Sequence, residues 1–294
     1  MLAFEDNEGL EAARARNILD ALREDMGLRD HTAQLVEDRP VTAQLVVREP
    51  AVLCGCDWFE GCLLALDADA QVHWAFEEGD DMPADAVVCR IQAKARALLT
   101  AERPALNFLQ TLSATATTTR AHVAAIRGAS PNPQGCQVLD TRKTLPGLRQ
   151  AQKYAVRVGG GHNQRMALWA GILIKENHIA AAGGIAQALV AARGLDAGVP
   201  IQVEVENLDE CETALMAGAE QVLIDNFSLD DMRAAVALAA EVALRTGRPR
   251  AQLEASGGLD LSGLRAVAAT GVDRISVGRL TKDIKAVDYS LRVL

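Results

Sequence analysis

Apolar residues recur in two different rhythms along the chain, and the change comes near residue 136. The first hundred or so residues read as a mixed α+β region. Leu10, Ala13, Ile18, Ala21 and Leu22 lie along one side of a helix over residues 10–26, which Gly27 ends. Short apolar runs of strand character follow at 43–47, 51–55, 71–76 and 87–93, separated by polar turns that carry Asp and Pro. Residues 104–112 return to helical spacing, and the Thr-rich run 115–119 carries the helix on toward 122–126. A β-branched run makes a poor isolated helix, so the sequence predicts that tertiary contacts or a ligand hold it.

Beyond residue 136 short strand-like segments alternate with helix-length spacers. The strand-like segments are 137–140, 155–158, 172–174, 201–205, 221–224, 252–254 and 274–277. Ala-rich amphipathic stretches lie at 179–195, 208–218, 229–246 and 259–270. Alternating β and α segments, repeating about every 20–30 residues, predict parallel strands with crossover helices, in an α/β barrel or a doubly wound sheet. About seven such units, with no Gly-x-Gly-x-x-Gly after the first strand, favour a barrel, complete or incomplete.

In α/β barrels the chemistry sits at the C-terminal strand ends. Those positions here are Thr141-Arg142-Lys143, Lys175-Glu176-Asn177-His178, Glu204 and Glu206, Asp225-Asn226, Ser256-Gly257-Gly258 and Gly278-Arg279. Arg142, Lys143, Arg165 and Lys175 form a cationic set suited to carboxylate or phosphate. Glu204 and Asp225 are two acidic strand ends able to hold Mg²⁺ on a phosphate substrate, directly or through water, or to stabilise a cation. Ser256-Gly257-Gly258 and Val277-Gly278-Arg279 follow the last two strands, where glycine lets backbone N–H groups approach a phosphate. Gly159-Gly160-Gly161 is a further loop free of side chains, before Arg165. Together these positions describe a pocket for a phosphorylated sugar, a divalent metal and an anionic partner. Lys175 alone is equally compatible with a Schiff-base lysine.

Charge sharpens this reading. The 294 residues carry 30 Lys and Arg against 39 Asp and Glu, a formal charge of −9. Residues 140–175 are nevertheless +6, leaving −15 for the rest. The acidic average argues against nucleic acid or an anionic membrane as partner, whereas the local excess of cations suits a small anionic substrate. No window approaches the roughly 20 apolar residues of a membrane helix, and an N-terminus with Glu5, Asp6 and Glu8 does not read as a signal peptide. A cytoplasmic location is the expectation. The six cysteines contain no Cys-x-x-Cys, and the five histidines form no metal-ligand pair at helical spacing, so reduced structural thiols are expected.

Several runs resemble the quinolinate phosphoribosyltransferase family. They are Asp140-Thr141-Arg142-Lys143-Thr144-Leu145-Pro146-Gly147-Leu148-Arg149, Lys153-Tyr154-Ala155-Val156, Gly159-Gly160-Gly161 and Leu173-Ile174-Lys175-Glu176-Asn177-His178. Glu102-Arg103-Pro104-Ala105-Leu106-Asn107-Phe108 resembles that family's interdomain helix, and Leu22-Arg23-Glu24-Asp25-Met26-Gly27 its N-terminal helix end. Val203-Glu204-Val205-Glu206, Leu223-Ile224-Asp225-Asn226-Phe227, Ser256-Gly257-Gly258 and Ser276-Val277-Gly278 complete the order. The resemblance implies an N-terminal α/β sandwich domain (1–115), an open seven-stranded α/β barrel (116–280) and a C-terminal tail (281–294). It implies conversion of quinolinate and phosphoribosyl pyrophosphate to nicotinate mononucleotide, pyrophosphate and CO₂, with Mg²⁺, in NAD biosynthesis. It also implies a homodimer with shared sites, in which Arg103 of one subunit reaches the barrel of the other.

Carried over residue by residue, the resemblance assigns the two carboxylates of quinolinate to Arg142, Arg165, Lys175 and Arg103 of the partner subunit, and counts Thr141 and Gln164 among the substrate-binding residues. Lys143 is placed near the pyrophosphate or the carboxylates. Glu204 and Asp225 are placed at the ribose and its Mg²⁺, and Ser256, Gly257, Gly258, Val277, Gly278 and Arg279 at the 5′-phosphate. Lys143, Lys175, Glu204 and Asp225 are the catalytic set. Three departures stand out. Asn163-Gln164-Arg165 has Gln where the family usually has His, which removes a chargeable group; whether His162 compensates is open. Ser113-Ala114-Thr115-Ala116-Thr117 replaces the usual Ser-Gly-Ile-Ala-Thr, and Arg279 stands where a small residue is common. The rival readings are a non-catalytic ligand-binding homologue of this fold and a Schiff-base aldolase using Lys175.

Overall fold

The computed structural model describes residues 6–294, so Glu5, used in reading the N-terminus, lies outside the described residues. The chain begins with helix α1 (Leu10–Met26), strands β1 (Pro40–Val47) and β2 (Ala51–Val52), and helix α2 (Cys56–Leu64). Strands β3 (Gln71–Trp74), β4 (Asp81–Met82) and β5 (Val87–Lys94) lead into the long helix α3 (Ala95–Ile126). Next come β6 (Gln137–Leu139), α4 (Arg149–Val158), β7 (Ile172–Ile174), α5 (Glu176–Ala182) and α6 (Ile185–Gly194). Then follow β8 (Ile201–Val205), α7 (Leu208–Met216), β9 (Gln221–Asp225), α8 (Leu229–Thr246) and β10 (Gln252–Ser256). The last elements are α9 (Leu264–Ala268), β11 (Arg274–Ser276), α10 (Arg279–Lys282) and β12 (Tyr289–Val293). Two compact units result: residues up to Arg120 with Lys143–Gly160 and Leu280–Leu294, and Ala121–Arg142 with Gly161–Arg279.

In the first unit an antiparallel sheet runs in the order β12-β1-β5-β3, with β2 and β4 paired separately. Alternation sets its buried face: Ala43, Leu45 and Val47 of β1 lie inward, as do Cys89, Ile91 and Ala93 of β5. They share one core with Trp58, Phe59, Cys62 and Leu63 of α2 and with Leu98, Leu106, Leu109 and Leu112 of α3. Residues 281–294, read from the sequence as a tail, carry β12, whose Leu291 pairs with Leu45.

Tertiary contacts do hold the Thr-rich stretch of α3. The hydroxyls of Thr115, Thr117 and Thr119 donate to the carbonyls of Thr111, Ser113 and Thr115 at 3.1, 2.6 and 2.8 Å. The Val52 N–H donates to Thr117 Oγ1 at 2.8 Å, and the Cys54 N–H to Ser113 Oγ at 3.1 Å.

The segment 155–158, read as a strand, is instead the end of α4. Ala151, Ala155 and Val156 recur at helical spacing and are completely buried, so packing overrides the β preference of the two valines. Gly159 follows because a Cβ there would lie 2.5 Å from the Ala116 carbonyl oxygen and 2.6 Å from Thr119 Cβ.

In the second unit a parallel sheet runs in the order β6-β11-β10-β9-β8-β7. This is the expected α/β barrel-type alternation with six strands, not seven, because the seventh candidate is α4. His162 adds an isolated parallel bridge to Leu139. Val203, Val205, Val222, Ile224, Leu253, Ala255 and Ile275 are fully buried on the sheet's apolar face. The opposite face alternates with them and carries Gln202, Glu204, Asp225, Glu254, Ser256 and Ser276. The stretch 179–195 breaks into α5 and α6 at Gly183-Gly184, whose φ values of +85° and +139° suit glycine. The helix expected at 259–270 contracts to the single turn α9.

Candidate active site

Burying β8 through its valines leaves Glu204 on the other face, one residue before the strand ends. On neighbouring β7, Lys175 follows the last strand residue and starts α5, its N–H donating to His178 Nδ1 at 3.1 Å. The Lys175 ammonium lies 3.0 Å from Glu204 Oε1 and 2.7 Å from Oε2. A charge-assisted pair of this geometry fixes both side chains at the mouth of the sheet.

Arg165 joins them. Its guanidinium donates to the Gly171 carbonyl at 3.1 Å. Burial holds its pKa below the usual arginine range, the nearby Arg142 charge adds to this, and Glu204 opposes it. Arg142, Arg165, Lys175 and Glu204 are therefore one electrostatic group, with three cations against one carboxylate. Such a surplus of positive charge, partly withdrawn from water, suits a ligand carrying more than one negative charge.

Asp140 closes β6 and is fully buried. Its carboxylate accepts from the Gln164 N–H at 3.0 Å and from Asn163 Nδ2 at 2.5 Å, which fixes the loop that presents Gln164 and Arg165. The Gln164 side chain in turn reaches Gln202 on β8 at 2.8 Å.

The ends of β9 and β10 meet closely. Asp225 is in register with Ser256, and the Asn226 N–H donates to the Ser256 carbonyl at 3.0 Å. Asn226 Nδ2 donates to Asp225 Oδ2 at 2.8 Å. Gly257 has φ +104°, and a Cβ on it would lie 2.2 Å from Asn226 Oδ1 and 2.8 Å from Asn226 N. Only glycine fits this approach. After β11, the Val277 N–H donates to the Leu139 carbonyl at 2.8 Å. Exposed Arg279 is near enough to Asp260 to help the Ser262 hydroxyl and the Gly263 N–H hold that carboxyl below its usual range.

The second unit thus holds Thr141, Arg142, Gln164, Arg165, Lys175, Glu204, Asp225, Ser256–Gly258 and Val277–Arg279. Arg103, exposed on α3, and Lys143, whose carbonyl accepts from the Thr281 hydroxyl at 2.8 Å, belong to the first unit. Sequence reasoning missed Gln202 and Glu254; the available signal was a polar residue alternating with apolar ones in the middle of two parallel strands.

Two family models cover most of the chain: "Quinolinate phosphoribosyl transferase, N-terminal domain" matches residues 30–113, and the C-terminal domain of the same family matches 115–292. The chain belongs to the quinolinate phosphoribosyltransferase family. A relative from Mycobacterium leprae, named nicotinate-nucleotide pyrophosphorylase [carboxylating], is 41% identical over 85% of this chain and 86% of its own length. A human relative of the same name is 36% identical over 92% of this chain and 89% of its own. The solved nicotinate-nucleotide pyrophosphorylase from Francisella tularensis superposes with a TM-score of 0.89 at 42% identity, covering 98% of this chain and all of that one. The quinolinate phosphoribosyltransferase match therefore spans both units, and the site residues named above all lie inside it. The chain is an enzyme of the pentosyltransferase class.

Proposed function

We propose that this chain transfers the phosphoribosyl group of phosphoribosyl pyrophosphate to the ring nitrogen of quinolinate, with release of pyrophosphate and CO₂, to give nicotinate mononucleotide. The observation that carries this is the linked set in the second unit in which Arg142 and Glu204 both act on Arg165 and Lys175 pairs with Glu204. Three cations offset a pyridine dicarboxylate that is otherwise costly to desolvate. In this reading Thr141, Gln164 and Arg103 of the partner subunit complete the quinolinate subsite of a homodimer with shared sites. Lys143 serves the pyrophosphate or the carboxylates.

Glu204 and Asp225 face the ribose, where developing oxocarbenium character at C1′ is favoured by adjacent carboxylates. Ser256–Gly258 and Val277–Arg279 take the 5′-phosphate on backbone N–H groups and the Arg279 charge. Once the ring nitrogen is glycosylated, the bond from the adjacent ring carbon to its carboxyl breaks to release CO₂; the electron pair stays on that carbon, stabilised by the neighbouring positive nitrogen, and takes up a proton from solvent. The residues act by positioning and charge neutralisation, without a covalent nucleophile.

The donor set also fits Mg²⁺. Among the described residues no group of three or more His, Cys, Asp or Glu stands together, so no all-protein cage is available. Mg²⁺ characteristically uses one or two carboxylates plus substrate phosphate oxygens and water. Glu204 and Asp225, on adjacent strands, supply two hard oxygen donors, directly or through water. When bound, Mg²⁺ neutralises charge on the pyrophosphate leaving group.

Cytoplasmic residence belongs to the same reading. All six cysteines are free, and burial raises their thiols, with Cys62, Cys136 and Cys211 pushed up to about 12. No helix among the described residues is long and apolar enough to cross a membrane. Comparing quinolinate, nicotinate and nicotinamide as acceptors tests the proposal. Nucleotide formation from quinolinate alone is expected; equal use of nicotinate contradicts it.

A further inference from the structure

Asn226 follows Asp225, the last residue of β9, and folds back over it. Successive residues of an extended strand point to opposite faces, so in a continuing strand the two side chains would lie on opposite sides of the sheet. Asn226 instead has φ +56°, in the left-handed region that only two other non-glycine residues, Asp85 and Asp196, enter among the described residues. Asparagine tolerates that region better than most residues do. The turn brings its side-chain amide alongside Asp225, and Nδ2 donates to Asp225 Oδ2 at 2.8 Å.

Chemistry fixes which end of the amide meets Asp225. An ionised carboxylate only accepts hydrogen bonds, so the amide nitrogen faces it and the amide oxygen faces away. That oxygen lies against Gly257, the residue after β10, where a Cβ would come within 2.2 Å of it. The backbone is held separately, by the Asn226 N–H on the Ser256 carbonyl at 3.0 Å. Asn226 is therefore wedged between two strand ends, and its one side-chain donor contact is to Asp225. Asp225 Oδ2 is engaged in this way, whereas Asp225 Oδ1 accepts from no group among the described residues.

We propose that Asn226 is a positioning residue: by holding Oδ2 it turns the Asp225 carboxylate so that Oδ1 meets the phosphoribosyl donor and its Mg²⁺, and so sets affinity for that donor through Asp225. This rests on the reading of Asp225 as a residue of the ribose and its Mg²⁺.

Asn226→Gly isolates the amide, because glycine keeps the left-handed backbone and the N–H to Ser256 and removes only the side chain. The test measures steady-state kinetics of the full-length protein with both substrates varied. Calorimetric titration with phosphoribosyl pyrophosphate, in Mg²⁺ and benzene-1,2-dicarboxylate, reads donor binding without turnover, since that acid has both carboxylates but no ring nitrogen to glycosylate. Expected for Asn226→Gly is a rise of about 3- to 10-fold in both the KM and the Kd for phosphoribosyl pyrophosphate, the range for one partly exposed hydrogen bond. The KM for quinolinate stays within about 2-fold, a split that general destabilisation does not produce. In an Asp225→Ala background Asn226→Gly adds less than about 2-fold to the Kd, because the amide acts through that carboxylate. Thermal unfolding confirms which variants fold, and Asn226→Asp, which keeps the volume but removes the donor, carries the same expectation if Asn226→Gly does not fold. A wild-type KM and Kd in the folded variant, an equal rise in both KM values, or full multiplication with Asp225→Ala overturns the proposal. Wild-type donor binding by Asp225→Ala overturns the reading of Asp225, and the proposal with it. Failure of wild-type protein to use quinolinate overturns the functional reading itself, which the same kinetics register separately.

Discussion

Lys175 and Glu204 hold each other across two neighbouring parallel strands, the ammonium lying within 3.0 Å of both carboxylate oxygens. Glu204 is the more buried partner, so removing the lysine leaves a carboxylate short of both water and counter-charge. A dicarboxylate substrate adds to the negative charge that Arg142, Arg165 and Lys175 together offset.

Lys175→Ala and Arg142→Ala are each expected to lower kcat/KM for quinolinate by at least about 100-fold while the protein stays folded. That is the range for losing a charge-assisted contact made by a desolvated anion. Product formation by each variant, with circular dichroism to confirm folding, checks this. Near-normal turnover in either contradicts the assignment.

Gly257→Ala is expected to fold less stably by about 1–3 kcal/mol and to raise the KM for phosphoribosyl pyrophosphate. Its Cβ meets Asn226 at 2.2 Å in a φ +104° conformation, so both backbone strain and steric conflict act at the β9 and β10 ends. Calorimetry and kinetics together check it; Gly258, whose Cβ meets nothing within 4 Å, is the milder control.

These two sites illustrate what the sequence made legible. The charged strand ends could be read because charged residues closing buried parallel strands stand out against an apolar background, as at Lys175 and Glu204. The residues 155–158 could not, since Ala-Val-Arg-Val is short enough to suit either element and only core packing of Ala151, Ala155 and Val156 decides for helix. The Gly183-Gly184 break was hidden by the alanine run 180–182 before it and the helical spacing that resumes at Ile185. Gln202 and Glu254 escaped notice because their meaning lies in a contact between strands 52 residues apart.

The Glu254 carboxyl supplies a pH test. Burial raises its pKa above the usual glutamate range; Asp140 adds to this, and the Gln202 and Ser276 hydrogen bonds and Arg274 oppose it. The folded state then holds a proton that the unfolded state has lost. This group's contribution to stability is intact below the ordinary carboxylate range and is lost as pH rises through the raised value. The slope is at most about 1.4 kcal/mol per pH unit. Unfolding midpoints of wild type and Glu254→Gln measured from pH 4 upward are expected to show a shallower fall in the variant. Parallel curves contradict this.

If Arg103 of the partner subunit completes the site, two inactive variants can restore each other. Mixing Arg103→Ala with Lys175→Ala subunits under exchange conditions is expected to recover about a quarter of wild-type activity per subunit, since half the dimers are hybrids and each has one intact site. No recovery, with exchange verified by differential tagging, contradicts the shared site.

The most direct measurement follows the carboxyl carbon. With quinolinate labelled in the carboxyl adjacent to the ring nitrogen, phosphoribosyl pyrophosphate and Mg²⁺, the account predicts labelled CO₂, pyrophosphate and nicotinate mononucleotide in equal amounts. Pyrophosphate release without labelled CO₂, or no product from quinolinate at all, contradicts it.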